Sequence, residues 1–183
     1  NQTNITFNIC LRRTPLNDLC AAAIGFPQIP TDGSYSTVSV RTQRATGSDD
    51  PTCSGVEDDD VWFTFTTPPN VTRLFYENRN TSGSSVNFQI LSGNCGNLTS
   101  VGCYPALFSG HITGLSGNTT YYVRAYSGAA GDTSVCNIGL RLPLVNDDCS
   151  NAALISSCNS TINGSFNAAT ADGVDSDCVS NIV

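Results

Sequence analysis

The segment Asp58-Asp59-Asp60-Val61-Trp62-Phe63-Thr64-Phe65 decides the fold class, because its apolar run is denser than the stretches around it. Successive side chains of a β-strand point to opposite faces of the sheet. Val61, Phe63 and Phe65 would therefore share one face, and we expect that face to lie in the core. The segment thus predicts a central strand that follows an acidic turn.

The segments on both sides predict further strands. Apolar residues alternate at Leu74/Tyr76 and at Phe88/Ile90, as a half-buried antiparallel strand requires. Turns rich in Gly, Pro, Asn and Asp separate the segments, and one short helical turn is predicted over 20–24. Seven or eight strands spaced in this way favour an all-β fold, an antiparallel β-sandwich of the immunoglobulin or fibronectin III type. The predicted strands are 33–41, 60–67, 71–78, 86–92, 107–114, 119–127 and 133–142.

The composition excludes several classes of function. The 183-residue chain has a formal net charge of −7, its eight basic residues are all Arg, and it holds one His. Schiff-base chemistry needs Lys, a multi-His metal site cannot be built within one chain, and the basic footprint of a nucleic-acid-binding protein is missing. No stretch approaches the roughly 20 apolar residues that cross a membrane, so no membrane span is predicted.

Nine cysteines are too many for an ordinary cytosolic domain of this length. No Cys-x-x-Cys spacing occurs, so a zinc site is not indicated. The cysteines therefore predict disulfides and an oxidising compartment, and the odd number leaves at least one thiol without an intrachain partner. They are Cys10, Cys20, Cys53, Cys95, Cys103, Cys136, Cys149, Cys158 and Cys178.

The pairing of these cysteines is predicted in part. Cys95 and Cys103 flank a Gly- and Asn-rich turn, and we expect them to bond to each other. Two schemes remain open for the others. The favoured one joins Cys20–Cys53, Cys149–Cys178 and Cys136–Cys158 and leaves Cys10 unpaired. The other joins Cys10–Cys20, Cys136–Cys149 and Cys158–Cys178 and leaves Cys53 unpaired.

Eight Asn-x-Ser/Thr acceptor sites predict a glycosylated surface, because chance would give about half as many. Three of them lie in or beside predicted turns, where a bulky sugar can point into solvent. We expect at least two of those three, Asn70, Asn97 and Asn118, to be modified. The full set is Asn1, Asn4, Asn70, Asn80, Asn97, Asn118, Asn159 and Asn163.

An internal repeat predicts the domain organisation. Residues 7–12 resemble residues 136–141, and residues 17–23 resemble residues 146–152, both without a gap. We therefore interpret the chain as a window on a tandem array. Residues 1–14 would be the last strand of a preceding repeat, 15–143 one complete sandwich, and 144–183 the opening of the next repeat.

The order of motifs resembles a known group of proteins. Residues 114–125, Gly-Leu-Ser-Gly-Asn-Thr-Thr-Tyr-Tyr-Val-Arg-Ala, look like the penultimate strand of fibronectin type III-like sandwiches, in which a Leu and a Tyr anchor the corner. With Asn17-Asp18-Leu19-Cys20, the segment 58–65 and the segment 92–103, the pattern resembles the tandem β-sandwich repeats of large secreted, adhesin-like proteins of Bacteroidota-type bacteria. The resemblance implies secretion, arrays and a non-enzymatic role.

Several residues carry groups that could bind ligands or catalyse a reaction. Asp58, Asp59 and Asp60 could offer oxygen ligands to Ca²⁺, but the spacing of an EF-hand is absent, and a solvated loop before the buried strand is the better explanation. His111 lies inside a predicted strand without a nucleophile elbow, which indicates an ordinary histidine. An aromatic platform for sugars is a further possibility, although aromatic residues on strands usually belong to the core. Its candidates are Trp62, Tyr104, Tyr121, Tyr122 and Tyr126.

These observations lead to a structural hypothesis without catalysis or cofactor. The chain would be a subunit of a secreted, glycosylated filament or surface stalk, with copies of itself and covalent glycans as partners. Residues 1–14 would act as a donor strand between subunits. The alternatives are a carbohydrate- or surface-binding adhesin module, or a non-catalytic appendage of a secreted hydrolase.

Overall fold

The computed structural model describes residues 13–48, 53, 58–83, 85–105, 108–129, 133–147, 152–155, 157–158 and 161, with only the backbone described at 80, 81 and 108. Within these ranges the chain forms nine strands and one 3-10 turn, Cys20–Ala22. The strands are β1 Ile24–Gly25, β2 Ser36–Arg41, β3 Val61–Thr66, β4 Leu74–Gly83, β5 Val86–Asn94, β6 Asn97–Tyr104, β7 Phe108–Ile112, β8 Thr120–Ser127 and β9 Ser134–Arg141.

The strands form two sheets, which confirms the predicted all-β sandwich. One sheet has five strands in the order β1-β3-β8-β5-β6, and the other has four in the order β2-β9-β4-β7. The neighbouring strands pair antiparallel, except that the two-residue β1 runs parallel to β3. Because β8 and β9 are consecutive in the chain but lie in different sheets, the turn between them crosses from one layer to the other.

The main core lies between the sheets, and alternation along each strand fills it. In β2 the buried Ser36, Val38 and Val40 alternate with exposed residues. Val61, Phe63 and Phe65 of β3 are at most 3% exposed and belong to the same cluster, as predicted. Burying a side chain of this kind stabilises the fold by about 1.5–3 kcal/mol relative to exposure.

Much of the outward side of the five-stranded sheet is buried as well, and we call it the closed face. Trp62, Leu91 and Leu98 form a second apolar cluster there. A segment near the start of the described chain covers it. The backbone N–H of Trp62 donates to the backbone carbonyl of Asn17 at 2.8 Å, and the side-chain amide of Asn17 donates to the backbone carbonyl of Trp62 at 2.9 Å. The dense run at 61–65 therefore faces two cores, since Trp62 on its outward side is as buried as Val61, Phe63 and Phe65 on its inward side.

Two disulfides tie the covering segments to β5 and β6, and they correct the predicted pairing. Cys20 bonds to Cys95, and Cys53 bonds to Cys103. The predicted Cys95–Cys103 and Cys20–Cys53 bridges are wrong, as is the alternative scheme that left Cys53 unpaired and joined Cys20 to Cys10. Cys95 lies in the two-residue turn between β5 and β6, whereas Cys103 lies near the far end of β6. Seven residues of strand separate them by roughly 20 Å, which no disulfide spans.

Cys136 and Cys158 are free thiols, so the predicted Cys136–Cys158 bridge is also wrong, as is the alternative bridge between Cys136 and Cys149. Cys136 points from β9 into the main core, whereas Cys158 is exposed. Burial raises the pKa of the Cys136 thiol to about 12, so this thiol stays protonated and unreactive. Cys10, Cys149 and Cys178 lie outside the described residues.

Candidate functional site

The outward side of the four-stranded sheet carries polar and aromatic side chains in a regular grid, and we call it the open face. Strand register defines its rows, because directly paired residues lie side by side. The first row runs Arg141, Phe75, His111; the second runs Thr37, Gly139, Glu77, Ser109; the third runs Ser39, Asn137, Arg79. No disulfide-bonded segment covers these rows within the described part of the chain.

The first row is a stack of rings around one cation. The Arg141 guanidinium lies 4.2 Å from the Phe75 ring centroid and 5.5 Å from that of Tyr35, the residue just before β2. The edge of His111 packs on Phe75 with 5.6 Å between ring centroids. Arg141 also donates to the Leu142 carbonyl at 3.0 Å. Because Arg141 is buried between the two rings, it fixes the position of the half-buried Tyr35.

A cleft of about 290 Å³ opens beside this stack, because Gly139 has no side chain. A Cβ atom at Gly139 would come within 2.9 Å of the Tyr35 ring. A larger residue here would displace the Tyr35 side chain, so the glycine keeps the cleft open and forms its floor. The lining residues are Tyr35, Thr37, Glu77, Arg79, Asn137 and Gly139.

The walls of the cleft carry both hydrogen-bond donors and hydrogen-bond acceptors. Glu77 and Arg79 form an ion pair, and their side chains are 25% and 73% exposed. The carboxylate accepts, the guanidinium donates, and the half-buried Asn137 amide does both. Beside the flat ring of Tyr35, this set suits a ligand that carries hydroxyl groups on a ring. Glu77 is the single carboxylate among the residues that line the cleft, so the two-carboxylate geometry of a glycosidase is not present there.

The closed face is built around a different arginine. Arg124 of β8 is fully buried, and its guanidinium lies 5.7 Å from the ring centroids of both Trp62 and Tyr126. It donates to the Gln89 side-chain oxygen at 2.8 Å. Its other terminal nitrogen lies 3.7 Å from a carboxylate oxygen of Asp60. Every one of these partners is buried, so Arg124 serves the core and not a ligand.

The acidic run contacts protein donors and not a metal site. Asp60 accepts from the Ser48 hydroxyl at 2.6 Å, and Asp59 accepts from the Ser127 N–H at 2.9 Å. Burial raises the pKa of Asp60 to about 6 even though Ser48 and Arg124 both favour its charged form. Asp58 is exposed. Within the described ranges, no group of three or more acidic, His or Cys side chains that could hold a metal occurs.

The aromatic platform predicted from the sequence does not form. Trp62, Tyr121 and Tyr126 are at most 3% exposed, and Tyr104 and Tyr122 are half-buried. The Tyr121 hydroxyl instead accepts from the Ser116 N–H at 2.8 Å. This contact fixes the corner before β8, as the resemblance to fibronectin III-like sandwiches implies.

Tyr35, Gly139 and the Glu77–Arg79 pair carry no sequence motif that marks them as a site. The available signal was the alternation of polar Thr37, Ser39 and Arg41 with apolar residues along β2. That pattern also describes any solvated sheet face, and the cleft becomes visible only when the strand order places Gly139 between Thr37 and Glu77.

The glycosylation acceptors are accessible where the structure describes their side chains. Asn70, Asn97 and Asn118 are exposed, and Asn70 and Asn118 adopt left-handed backbone angles in turns, with φ of 61° and 54°. Asn80 lies in β4, where only the backbone is described. Accessibility is necessary for glycosylation, and modification itself stays a prediction. Asn1, Asn4, Asn159 and Asn163 lie outside the described residues.

The two-layer antiparallel architecture and its single-sheet cleft place the chain in the class of β-sandwich domains. The model of the T9SS-associated galactose-binding domain-like family matches residues 16–136, and the chain belongs to that family. The match agrees with the predicted relation to secreted β-sandwich proteins of the Bacteroidota type. Together with the two disulfides, it indicates an extracellular or cell-surface location.

Comparisons with solved structures and with curated proteins give no functional information. The solved structure of the Yersinia pseudotuberculosis-derived mitogen (YPM) is similar at a TM-score of 0.41 and 10% sequence identity, over 69% of this chain and 97% of that chain. Similarity at this level carries no functional argument. No curated protein matches the chain. Among the described residues, no helix is long and apolar enough to cross a membrane.

Proposed function

We propose that the chain is a non-catalytic carbohydrate-binding module of a secreted, cell-surface protein, and that the cleft on the open face holds a sugar ring. The observation that carries the proposal is the Gly139 floor between a fixed aromatic ring, Tyr35, and a charged pair, Glu77 and Arg79. The name of the family, galactose-binding domain-like, supports a sugar as the ligand.

In the proposed complex, the apolar face of the sugar stacks on Tyr35, and its hydroxyl groups meet Glu77, Arg79 and Asn137. The Arg141 stack holds Tyr35 in place before the ligand arrives, so little side-chain entropy is lost on binding. One stacked ring and a few exposed hydrogen bonds contribute only a few kcal/mol, which corresponds to weak binding of a single sugar.

Weak single sites favour multivalent binding, and the internal sequence repeat supplies a means for it. If the predicted repeats follow one another, neighbouring clefts engage one polymeric glycan and avidity exceeds the affinity of each site. The tandem arrangement and contact with other copies therefore enter this proposal as a source of avidity. Neither the fold nor the family supports the filament and strand-donation hypothesis, and a binding module replaces it as the main proposal.

A glycan array tests the proposal with matched variants. Tyr35→Ala removes the stacking ring, and Gly139→Val fills the cleft. We expect each variant to fold and to retain glycans about tenfold less well than wild type. Tyr122→Ala is the control, because Tyr122 is also a half-buried tyrosine but lies on the closed face, against Trp62. Circular dichroism should show all three variants folded. Unchanged binding by Gly139→Val, or equal losses for Tyr35→Ala and Tyr122→Ala, would reject the site.

A further inference from the structure

The open face differs in charge from the rest of the chain. The whole chain carries a net charge of −7 with eight basic residues, all of them Arg. Three of these, Arg41, Arg79 and Arg141, lie at outward positions of the four-stranded sheet. Glu77 is the acidic residue among the described outward positions of that sheet, so the open face has a local excess of positive charge.

Two of these arginines are accessible to a ligand, and one of them, Arg79, also pairs with Glu77. Arg41 is exposed at the end of β2, and the Arg79 side chain is 73% exposed on β4. Arg41 pairs with Val135 and Arg79 with Asn137, so the two stand one row apart and two strands apart. Standard sheet spacings put their Cα atoms roughly 12 Å from each other. The polar Ser39 lies between the cleft residue Thr37 and Arg41 on the outward side of β2.

From this arrangement we infer that the ligand is an acidic glycan, a polysaccharide whose sugars carry carboxylate or sulfate groups. The inference rests on the proposed function, since it names the class of sugar that the same cleft binds. A neutral sugar in the cleft would use Glu77, Asn137 and Tyr35 but would gain little from Arg41. Guanidinium groups bind carboxylate and sulfate through paired, charge-assisted hydrogen bonds, and the separation of the two arginines suits acidic groups on successive sugars of one chain.

The negative net charge of the molecule opposes the binding of an acidic polymer. A chain at −7 repels polyanions in general, so an acidic polymer binds only where a local positive field overcomes that repulsion. Nucleic acids need a wider basic footprint than three arginines and lack the hydroxyl-rich rings that fit the cleft. An acidic polysaccharide combines both features of the open face, the ring site and the flanking charges.

The test compares acidic polysaccharides with chemically neutralised forms of the same polymers. The probes are polygalacturonate and alginate, each with its carboxyl-reduced counterpart, and a sulfated galactan with its desulfated form. We expect the wild-type chain to bind the acidic member of at least one pair about tenfold more tightly, with a preference that shrinks as salt rises. Arg41→Gln and Arg79→Gln should each reduce that preference several-fold, and Arg13→Gln, an exposed arginine outside the open face, should leave it unchanged.

Three other outcomes would overturn the acidic specificity, the carbohydrate-binding function or the glycan-specific site. Equal or tighter binding of the neutralised polymers overturns the acidic specificity while the carbohydrate-binding function stands. Binding of none of the six polymers, together with an empty glycan array, overturns both. Equal affinity for double-stranded DNA shows a general polyanion surface and rejects a glycan-specific site.

Discussion

Arg124 and Arg141 occupy comparable positions on the two sheets, and the comparison shows how one sandwich separates stability from binding. Both lie on the outward side of their sheet, both are fully buried, and both stack on two aromatic rings. Arg124 is covered by loops that two disulfides hold in place, and it meets the carboxylate of Asp60. Arg141 is covered only by rings that belong to the open face itself.

The difference in cover determines what the neighbours of each arginine can do. Around Arg124 the neighbouring side chains become a second core, so changes there affect folding. Around Arg141 the next two rows of the sheet stay accessible, so polar groups such as Glu77 and Arg79 remain available for a ligand. The closed face therefore stabilises the fold, and the open face is available to bind.

The largest expected effect is the loss of Arg124. In Arg124→Leu, the buried Asp60 carboxylate loses its cation, and we expect the free energy of unfolding to fall by about 3–5 kcal/mol at pH 7. Arg141→Leu removes two ring contacts and should cost about 1–2 kcal/mol. Urea unfolding of both variants measures the difference, and equal losses would contradict the distinction between the two faces.

The disulfides should contribute next. Cys20–Cys95 and Cys53–Cys103 close loops with sequence separations of 75 and 50 residues. Replacing either pair with Ser should therefore lower the free energy of unfolding by about 2–4 kcal/mol. Non-reducing peptide mapping should find these two pairs in the native protein. A Cys95–Cys103 peptide would show that the covering segments are not tied to the closed face as described.

The pH dependence of stability isolates Asp60. Its folded-state pKa, about 6, lies above the ordinary value of 3.8, so the native state holds this proton more tightly than the unfolded chain does. Its contribution to stability is therefore fully present below about pH 4 and is lost as the pH rises through about 6. Asp60→Asn should flatten this decline in urea midpoints measured from pH 4 to 7. Asp59, whose pKa burial also raises, retains a decline of the same sign. An unchanged slope in Asp60→Asn would show that Asp60 titrates normally.

The smallest expected effect on stability is on the open face. Gly139→Val overlaps the half-buried Tyr35 side chain, which must shift to make room. We expect its free energy of unfolding to fall by about 1–2 kcal/mol, less than for Arg124→Leu. A thermal melt decides the point. A loss comparable to that of Arg124→Leu would mean that the cleft floor is part of the core.

The sandwich could be predicted because each strand shows its own pattern of alternating apolar residues bounded by turn residues. Seven of the nine observed strands overlap predicted ones, since alternation and turn residues are properties of short segments. The sequence does not predict β6, because a register shift opposite Ile90 and Leu91 breaks its alternation and because a bond between Cys95 and Cys103 would require a loop there. The two-residue β1 is too short to carry a pattern.

The cover over the closed face and the cleft could not be predicted, since both depend on distant segments. Trp62 alternates with core residues and therefore looked available as a platform, but the segment around Asn17 folds back over it. The disulfides join residues at least 50 positions apart, whereas short sequence spacing favours the neighbouring pair Cys95 and Cys103. The cleft needs the strand order β2-β9-β4, which no single segment specifies.

The central claim is that ligand binds on the open face while the closed face only stabilises. An NMR titration of the ¹⁵N-labelled chain, with a glycan retained in the array, tests it directly through the backbone amide shifts. The account predicts the largest shift changes at residues 35–39, 75–79 and 137–141, and small ones at 89–91 and 122–126. Shift changes concentrated at 89–91 and 122–126, or in the turns at the ends of the sandwich, would contradict it.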